Sequence, residues 1–131
     1  MEEKHNNATQ RRPEGARPLD APMIPVDIPK YIAQLQEEDA YQKNGKNAIT
    51  VFKSDHLTIT IIALKEGQEF HPGQSDETAI MSLQVIKGYL VFESVGSVLE
   101  ISEGSLVTLH HELAFKARAT ADSVYLLTLF R

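Results

Sequence analysis

The feature that most constrains the fold is an alternation of apolar and polar residues that begins near Ala48 and continues to the end of the chain. In the run HLTITIIAL, for example, Leu57, Ile59 and Ile61 alternate with Thr58 and Thr60. A period of two residues, built from β-branched side chains, indicates β-strands. Similar runs are AITVFK, AIMSLQVI, YLVFES, VLEIS, SLVTL, LAFKAR and SVYLLTLF.

Short turn signals separate these runs, most of them with glycine at their centre or end. They occur at residues 65–67, 87–88, 95–97, 103–105 and 121–123. Turns that recur about every 8–12 residues are typical of all-β sandwiches and barrels. Connections this short leave no room for crossover helices, so the sequence predicts antiparallel pairing over residues 48–131.

The segment before the strands has a different composition. Residues 1–22 are rich in asparagine, proline and charge, with too few apolar side chains to offset the entropy lost on ordering. They are predicted to form a flexible N-terminal arm. Residues 23–47 are predicted to hold an extended segment and one short helix, because Asp27 can cap a helix that has Pro29 in its first turn.

Composition excludes several classes of function. The chain has 131 residues, enough for one domain with a real core, and it has no cysteine, so disulfides and thiolate metal sites are excluded. Its formal net charge of −5 gives no broad basic surface for nucleic acid. No apolar run reaches the roughly 18 residues of a membrane helix, and the N-terminus lacks the apolar core of a secretory signal. We therefore expect a cytoplasmic protein with neither nucleic-acid nor membrane partners.

Three glycines narrow the fold further. Gly67 precedes a histidine-containing loop, Gly88 ends the strand that follows it, and Gly104 opens the later run SLVTLHHELAFKA. In this order, residues 48–131 resemble the cupin superfamily, in particular small single-domain bacterial members with degenerate metal motifs. The resemblance implies an all-β, antiparallel jelly-roll barrel, preceded here by the flexible arm and the short helix.

The same resemblance implies where metal ligands normally lie. The glutamate of the first motif falls at Met81, its two histidines fall near Gln74 and Asp76, and the histidine of the second motif falls at Phe115. A methionine and a phenylalanine at these positions cannot hold a hard or borderline divalent metal. The resemblance therefore implies a barrel whose usual metal ligands are missing.

Strand alternation also predicts where these two apolar side chains point. Phe115 shares a face with Ala117 and Ala119 and lies opposite Lys116 and Arg118, which favour water. Likewise, Met81, Leu83 and Val85 share one face, opposite Ser82 and Gln84. Both Met81 and Phe115 are thus predicted to face the barrel interior.

These observations favour a cupin-fold protein that binds or senses a small molecule without a catalytic metal or other cofactor, and they favour binding over enzyme activity. The predicted pocket has apolar walls from Met81 and Phe115, with Gln74, Asp76 or His110 at its rim. Ligand sites commonly have this composition of apolar walls and a few placed polar groups. The ligand itself is not indicated by the sequence.

The alternative is a metal-dependent cupin enzyme, such as an oxygenase, isomerase or decarboxylase. His71, Glu77 and His110 would then form a displaced two-histidine, one-carboxylate site for Fe, Mn, Ni or Zn. A purely structural role is a third possibility. In each case we expect a homodimer, because an open sheet edge favours pairing and the extended segment at residues 23–26 can add to a neighbour's sheet.

Overall fold

The structure, a computed structural model, describes residues 4–7, 12, 17–71, 80–94, 96–110 and 115–131. Within these residues it has two helices, α1 (Ile28–Glu37) and α2 (Asp39–Asn44). The strands are β1 (Lys4–Asn6), β2 (Arg17–Asp20), β3 (Lys46–Lys53), β4 (Leu57–Leu64), β5 (Glu69–Phe70), β6 (Ile80–Lys87), β7 (Tyr89–Ser94), β8 (Ser97–Ser102), β9 (Leu106–His110), β10 (Phe115–Ala119) and β11 (Ser123–Phe130).

Two antiparallel sheets form the body of the protein. One has five strands in the order β3-β4-β11-β6-β9, and the other has four in the order β5-β10-β7-β8. This arrangement confirms the predicted antiparallel jelly roll. In the described part of the chain, the sheets do not join into a closed barrel.

The two sheets pack face to face around a core that we call the interior cluster. Its members alternate along the strands with residues on the outer faces, as the period-two pattern predicts. They are Ile62, Leu64, Met81, Leu83, Val85, Leu90, Phe92, Ile101, Leu109, Ala117, Ala119, Tyr125 and Leu127.

The helices cover the outer face of the five-stranded sheet at β3 and β4. Ile32 and Leu35 of α1 and Tyr41 of α2 pack there in a second buried cluster with Ile49 and Ile61. The predicted N-cap is confirmed, because a side-chain oxygen of Asp27 accepts a hydrogen bond from the Lys30 N–H at 3.2 Å.

The prediction of a single short helix is incomplete. The backbone at Glu38 is extended, with φ −71° and ψ 150°, so α1 ends there and α2 begins at Asp39. Gly45 then ends α2 with φ 75°, a left-handed conformation that glycine adopts without strain. The cause is tertiary: α2 buries Tyr41 against the sheet, a contact that helix periodicity alone does not reveal.

The described part of the N-terminal arm has more contacts than its composition indicates. β1 pairs with β2, and β2 lies beside β3. The Arg12 guanidinium donates hydrogen bonds to both carboxylate oxygens of Glu38, at 2.8 to 3.0 Å, and to the Ala48 carbonyl oxygen at 2.8 Å. Burial raises the pKa of Glu38, but the hydrogen bonds from Arg12 and Asn47 outweigh it and lower the pKa overall. Polar contacts thus attach a segment that has little apolar surface of its own.

Candidate functional site

One end of the sandwich holds the described candidate residues Met81, His110 and Phe115, and we call this end the mouth. In the five-stranded sheet, the neighbouring strand termini Leu57, Phe130, Ile80 and His110 lie in register here. Phe115, the first residue of β10, belongs to the same end, because only four residues separate it from His110 in the chain. Phe115 of the four-stranded sheet and Met81 of the five-stranded sheet therefore lie at the same end of the sandwich.

Met81 and Phe115 both face the interior. Met81 is buried in the interior cluster, and Phe115 is partly buried against it. The Phe115 ring stacks on that of Phe92, with centroids 4.6 Å apart and an interplanar angle of 22°. The predicted inward orientation of both side chains is confirmed, and their role in ligand binding stays a prediction.

His110 ends β9 at the mouth, but its side chain points away from the interior. Its neighbour Leu109 is buried in the interior cluster, while His110 is exposed and pairs across the sheet with the exposed Ile80. Adjacent residues of a strand point to opposite faces, so the His110 side chain is on the outer face of the sheet. The structure therefore does not bring His110 together with Met81 and Phe115. The other predicted rim residues, Gln74 and Asp76, lie outside the described residues.

The alternative metal site is only partly described. His71 is exposed after β5, with its Nε2 3.7 Å from Oε2 of Glu69. Glu69 is already paired with Lys116 at 2.9 Å, and that hydrogen bond is the main reason its pKa is lowered. No three His, Asp or Glu side chains gather into a possible metal site among the residues that the structure describes. Glu77 is not among them, so the set of His71, Glu77 and His110 stays a prediction.

Sequence reasoning missed a polar group inside the sandwich. Thr58 is opposite Leu129 in the β4–β11 pair and shares strand parity with Ile62 and Leu64 of the interior cluster, so it faces inward. Its Oγ1 is buried and has no hydrogen-bond partner among the residues that the structure describes. By contrast, the Oγ1 of Thr60 lies 3.3 Å from that of Thr50. The alternation in HLTITIIAL was visible in the sequence, but it does not say which face is inside.

Polar groups towards the opposite end of the sandwich bond to one another. The buried Tyr125 hydroxyl donates to the Tyr89 carbonyl oxygen at 2.7 Å, and burial raises the pKa of Tyr125. The Tyr89 N–H donates to Oγ of Ser123 at 3.1 Å, and that hydroxyl donates to the Ala121 carbonyl oxygen at 2.7 Å. At the mouth, by contrast, the buried Oγ1 of Thr58 has no hydrogen-bond partner in the part of the chain that the structure describes.

No protein-family profile and no curated protein matches the sequence. Solved structures do match. An RmlC-like cupin from Desulfovibrio desulfuricans is 21% identical, with a TM-score of 0.62 over 73% of this chain and 92% of the other. A cupin superfamily protein from Desulfitobacterium hafniense is 9% identical, with a TM-score of 0.61 over 66% and 78%. A cupin domain of an XRE family transcriptional regulator from Enterobacter cloacae is 16% identical, with a TM-score of 0.56 over 66% and 97%. At these identities the likeness concerns the fold. Separately, neither described helix has the length and apolar character to cross a membrane.

Proposed function

Because the chain has the cupin fold, we propose that it binds or senses a small molecule between its two sheets, at the mouth, without a catalytic metal. One observation carries this proposal. Met81 and Phe115 face the interior at positions where the resemblance to cupins expects metal ligands. A thioether and a phenyl ring in that place favour an apolar ligand surface over a divalent ion.

The chemistry of the mouth supports an apolar contact surface. Like Phe115, Leu129 and Val107 are partly buried against the interior cluster, opposite Met81 and Leu83 respectively in the five-stranded sheet. Partly buried apolar side chains gain further burial when a ligand covers them, at about 25 cal/mol per Å² of apolar surface. Met81 suits such a surface because methionine is flexible and polarisable, so it adapts to the shape of a ligand.

The proposal is tested by filling the mouth. A library of small apolar and amphipathic molecules is screened by thermal shift against the wild type, Met81→Trp and Ile80→Trp. We expect hits on the wild type to be retained by Ile80→Trp, which changes the outer face, and lost in Met81→Trp, which occupies the mouth. Circular dichroism confirms that each variant is folded. A further variant, Phe115→Ala, enlarges the mouth, and we expect it to change the affinities of the hits.

Metal analysis of protein purified without chelator tests the alternative, a metal site formed by His71, Glu77 and His110. We expect far less than one equivalent of Fe, Mn, Ni or Zn per chain. Near-stoichiometric metal that disappears in His71→Ala or His110→Ala would end the proposal in favour of the displaced metal site. Hits that bind Met81→Trp and the wild type equally would place the ligand elsewhere.

We also propose that the protein is a cytoplasmic homodimer that pairs through a sheet edge. Support comes from edge strand β8, where the side chains of Val98 and Leu99 are 71% and 51% exposed. Exposed apolar edge strands favour association. Light scattering at micromolar concentration should give the dimer mass for the wild type and for Ser102→Asp, and the monomer mass for Val98→Asp. A monomeric wild type contradicts the homodimer, and cell fractionation tests the location.

A further inference from the structure

Among the described residues at the mouth, two buried polar atoms have no hydrogen-bond partner: Oγ1 of Thr58 and Nε of Arg131. Thr58 is 9% exposed. A buried donor or acceptor that loses its hydrogen bond to water and forms none within the protein destabilises a fold by about 1–3 kcal/mol. Two such atoms at one end of two paired strands therefore call for a physical explanation.

Strand register makes Thr58 and Arg131 neighbours. Thr58 pairs with Leu129, and Arg131 follows two residues later, with its N–H bonded to the His56 carbonyl oxygen at 2.8 Å. This bond extends the ladder by one residue, so alternation puts the Arg131 side chain on the same face as Leu129, towards the interior. Diagonal neighbours in an antiparallel pair are about 7 Å apart, within reach of one small ligand.

No residue in the described ranges supplies the missing partner. Asp55, in the turn before β4, has an interaction of its own. Oδ1 of Asp20, which is also buried without a hydrogen-bond partner in the described residues, belongs to the N-terminal strand β2. Thr58 is therefore unlike its neighbour Thr60, whose hydroxyl lies within hydrogen-bond distance of Thr50.

We propose that Arg131 and Thr58 bind the carboxylate of a small organic acid whose apolar part lies against Met81, Leu129 and Phe115. This inference rests on the proposed function, because it assigns a chemical class to the ligand at the mouth. A guanidinium offers two parallel N–H donors that match the two oxygens of a carboxylate, and the threonine hydroxyl adds a third donor. The single positive charge of the guanidinium matches the single negative charge of a monocarboxylate.

Benzoate and toluene are the probes, since they share a ring and differ in the carboxylate. Binding to the full chain is followed by the NMR signal of the Met81 methyl group, one of three methionines in the sequence, assigned with Met81→Leu. Each probe is titrated into the wild type, Arg131→Met and Thr58→Val. The matched controls are Arg118→Met, at an exposed arginine on β10, and Thr60→Val, one inward position further along β4.

We expect benzoate affinity to fall about tenfold in Arg131→Met and about tenfold in Thr58→Val, the effect of losing a hydrogen bond to a charged group. Benzoate affinity in the two control variants stays within about twofold of the wild type, the range of a change that removes no ligand contact. Toluene binds all five proteins alike, because it makes no use of the polar groups.

Two results separate this inference from the proposal on which it rests. If toluene binds the wild type but benzoate does not, or if Arg131→Met and Arg118→Met bind benzoate equally, the carboxylate site is wrong and the interior binding site stands. If neither probe shifts the Met81 signal, both the interior binding site and the carboxylate site are overturned.

Discussion

Gly88→Ala is expected to lower the free energy of unfolding by about 4 kcal/mol, combining a left-handed conformation with steric overlap. Gly88 joins β6 to β7 with φ +85°. A Cβ there would lie 2.1 Å from Oγ of Ser123 and 2.8 Å from the Asp122 carbonyl oxygen. Because Ser123 is buried and hydrogen-bonded to Tyr89, it has no room to move away. Urea unfolding followed by circular dichroism measures the loss.

Gly104→Ala is the matched control. Gly104 has φ +87°, nearly the same conformation, but a Cβ added there meets no atom within 4 Å. Its loss should be about 1 kcal/mol, the strain of the left-handed backbone without steric overlap. Equal losses at Gly88 and Gly104 would show that the close approach of Ser123 is unimportant. Because Gly88 connects the strands that carry Met81 and Phe92, Gly88→Ala should also lose ligand binding at the mouth.

Leu83→Ala is expected to lower the free energy of unfolding by about 3–4 kcal/mol, the range for a leucine removed from a well-packed core. Leu83 is 0% exposed and lies in the interior cluster, one inward position from Met81 along β6. Both sheets surround it, so the lost volume leaves a cavity that the rigid strands cannot fill. Thermal unfolding should show a drop in Tm of about 10 °C for a chain of this size.

Leu106→Ala is the matched control, since Leu106 is on neighbouring β9 and 57% exposed. It should change stability by no more than about 0.5 kcal/mol. A loss at Leu106 as large as that at Leu83 would mean that β9 is covered in solution, for example by a second copy of the chain. Toluene binding gives a second measurement of the cavity in Leu83→Ala, because an apolar cavity can bind small apolar molecules.

Much of the fold was predictable because its signals are local. Alternation in AIMSLQVI and LAFKAR assigns Met81 and Phe115 to one face of each strand, and packing of the two sheets makes that face the interior. The same rule, applied to SLVTLHH, separates Leu109 from His110, so the outward position of His110 was open to prediction once Leu109 was known to be buried. The second helix was not predictable in this way, because Tyr41 is held by a distant part of the chain.

By itself, the sequence determined that this chain forms antiparallel strands joined by glycine turns, with Met81 and Phe115 each on the apolar face of its strand. Both features depend only on residues that are close together along the chain, because successive side chains of a strand point to opposite faces of the sheet. Only the tertiary structure decided which face of β4 is buried, and so placed Oγ1 of Thr58 near Nε of Arg131, both without a hydrogen-bond partner among the described residues. Thr58 and Arg131 are 73 positions apart in the sequence. Only the pairing of β4 with β11 makes them neighbours.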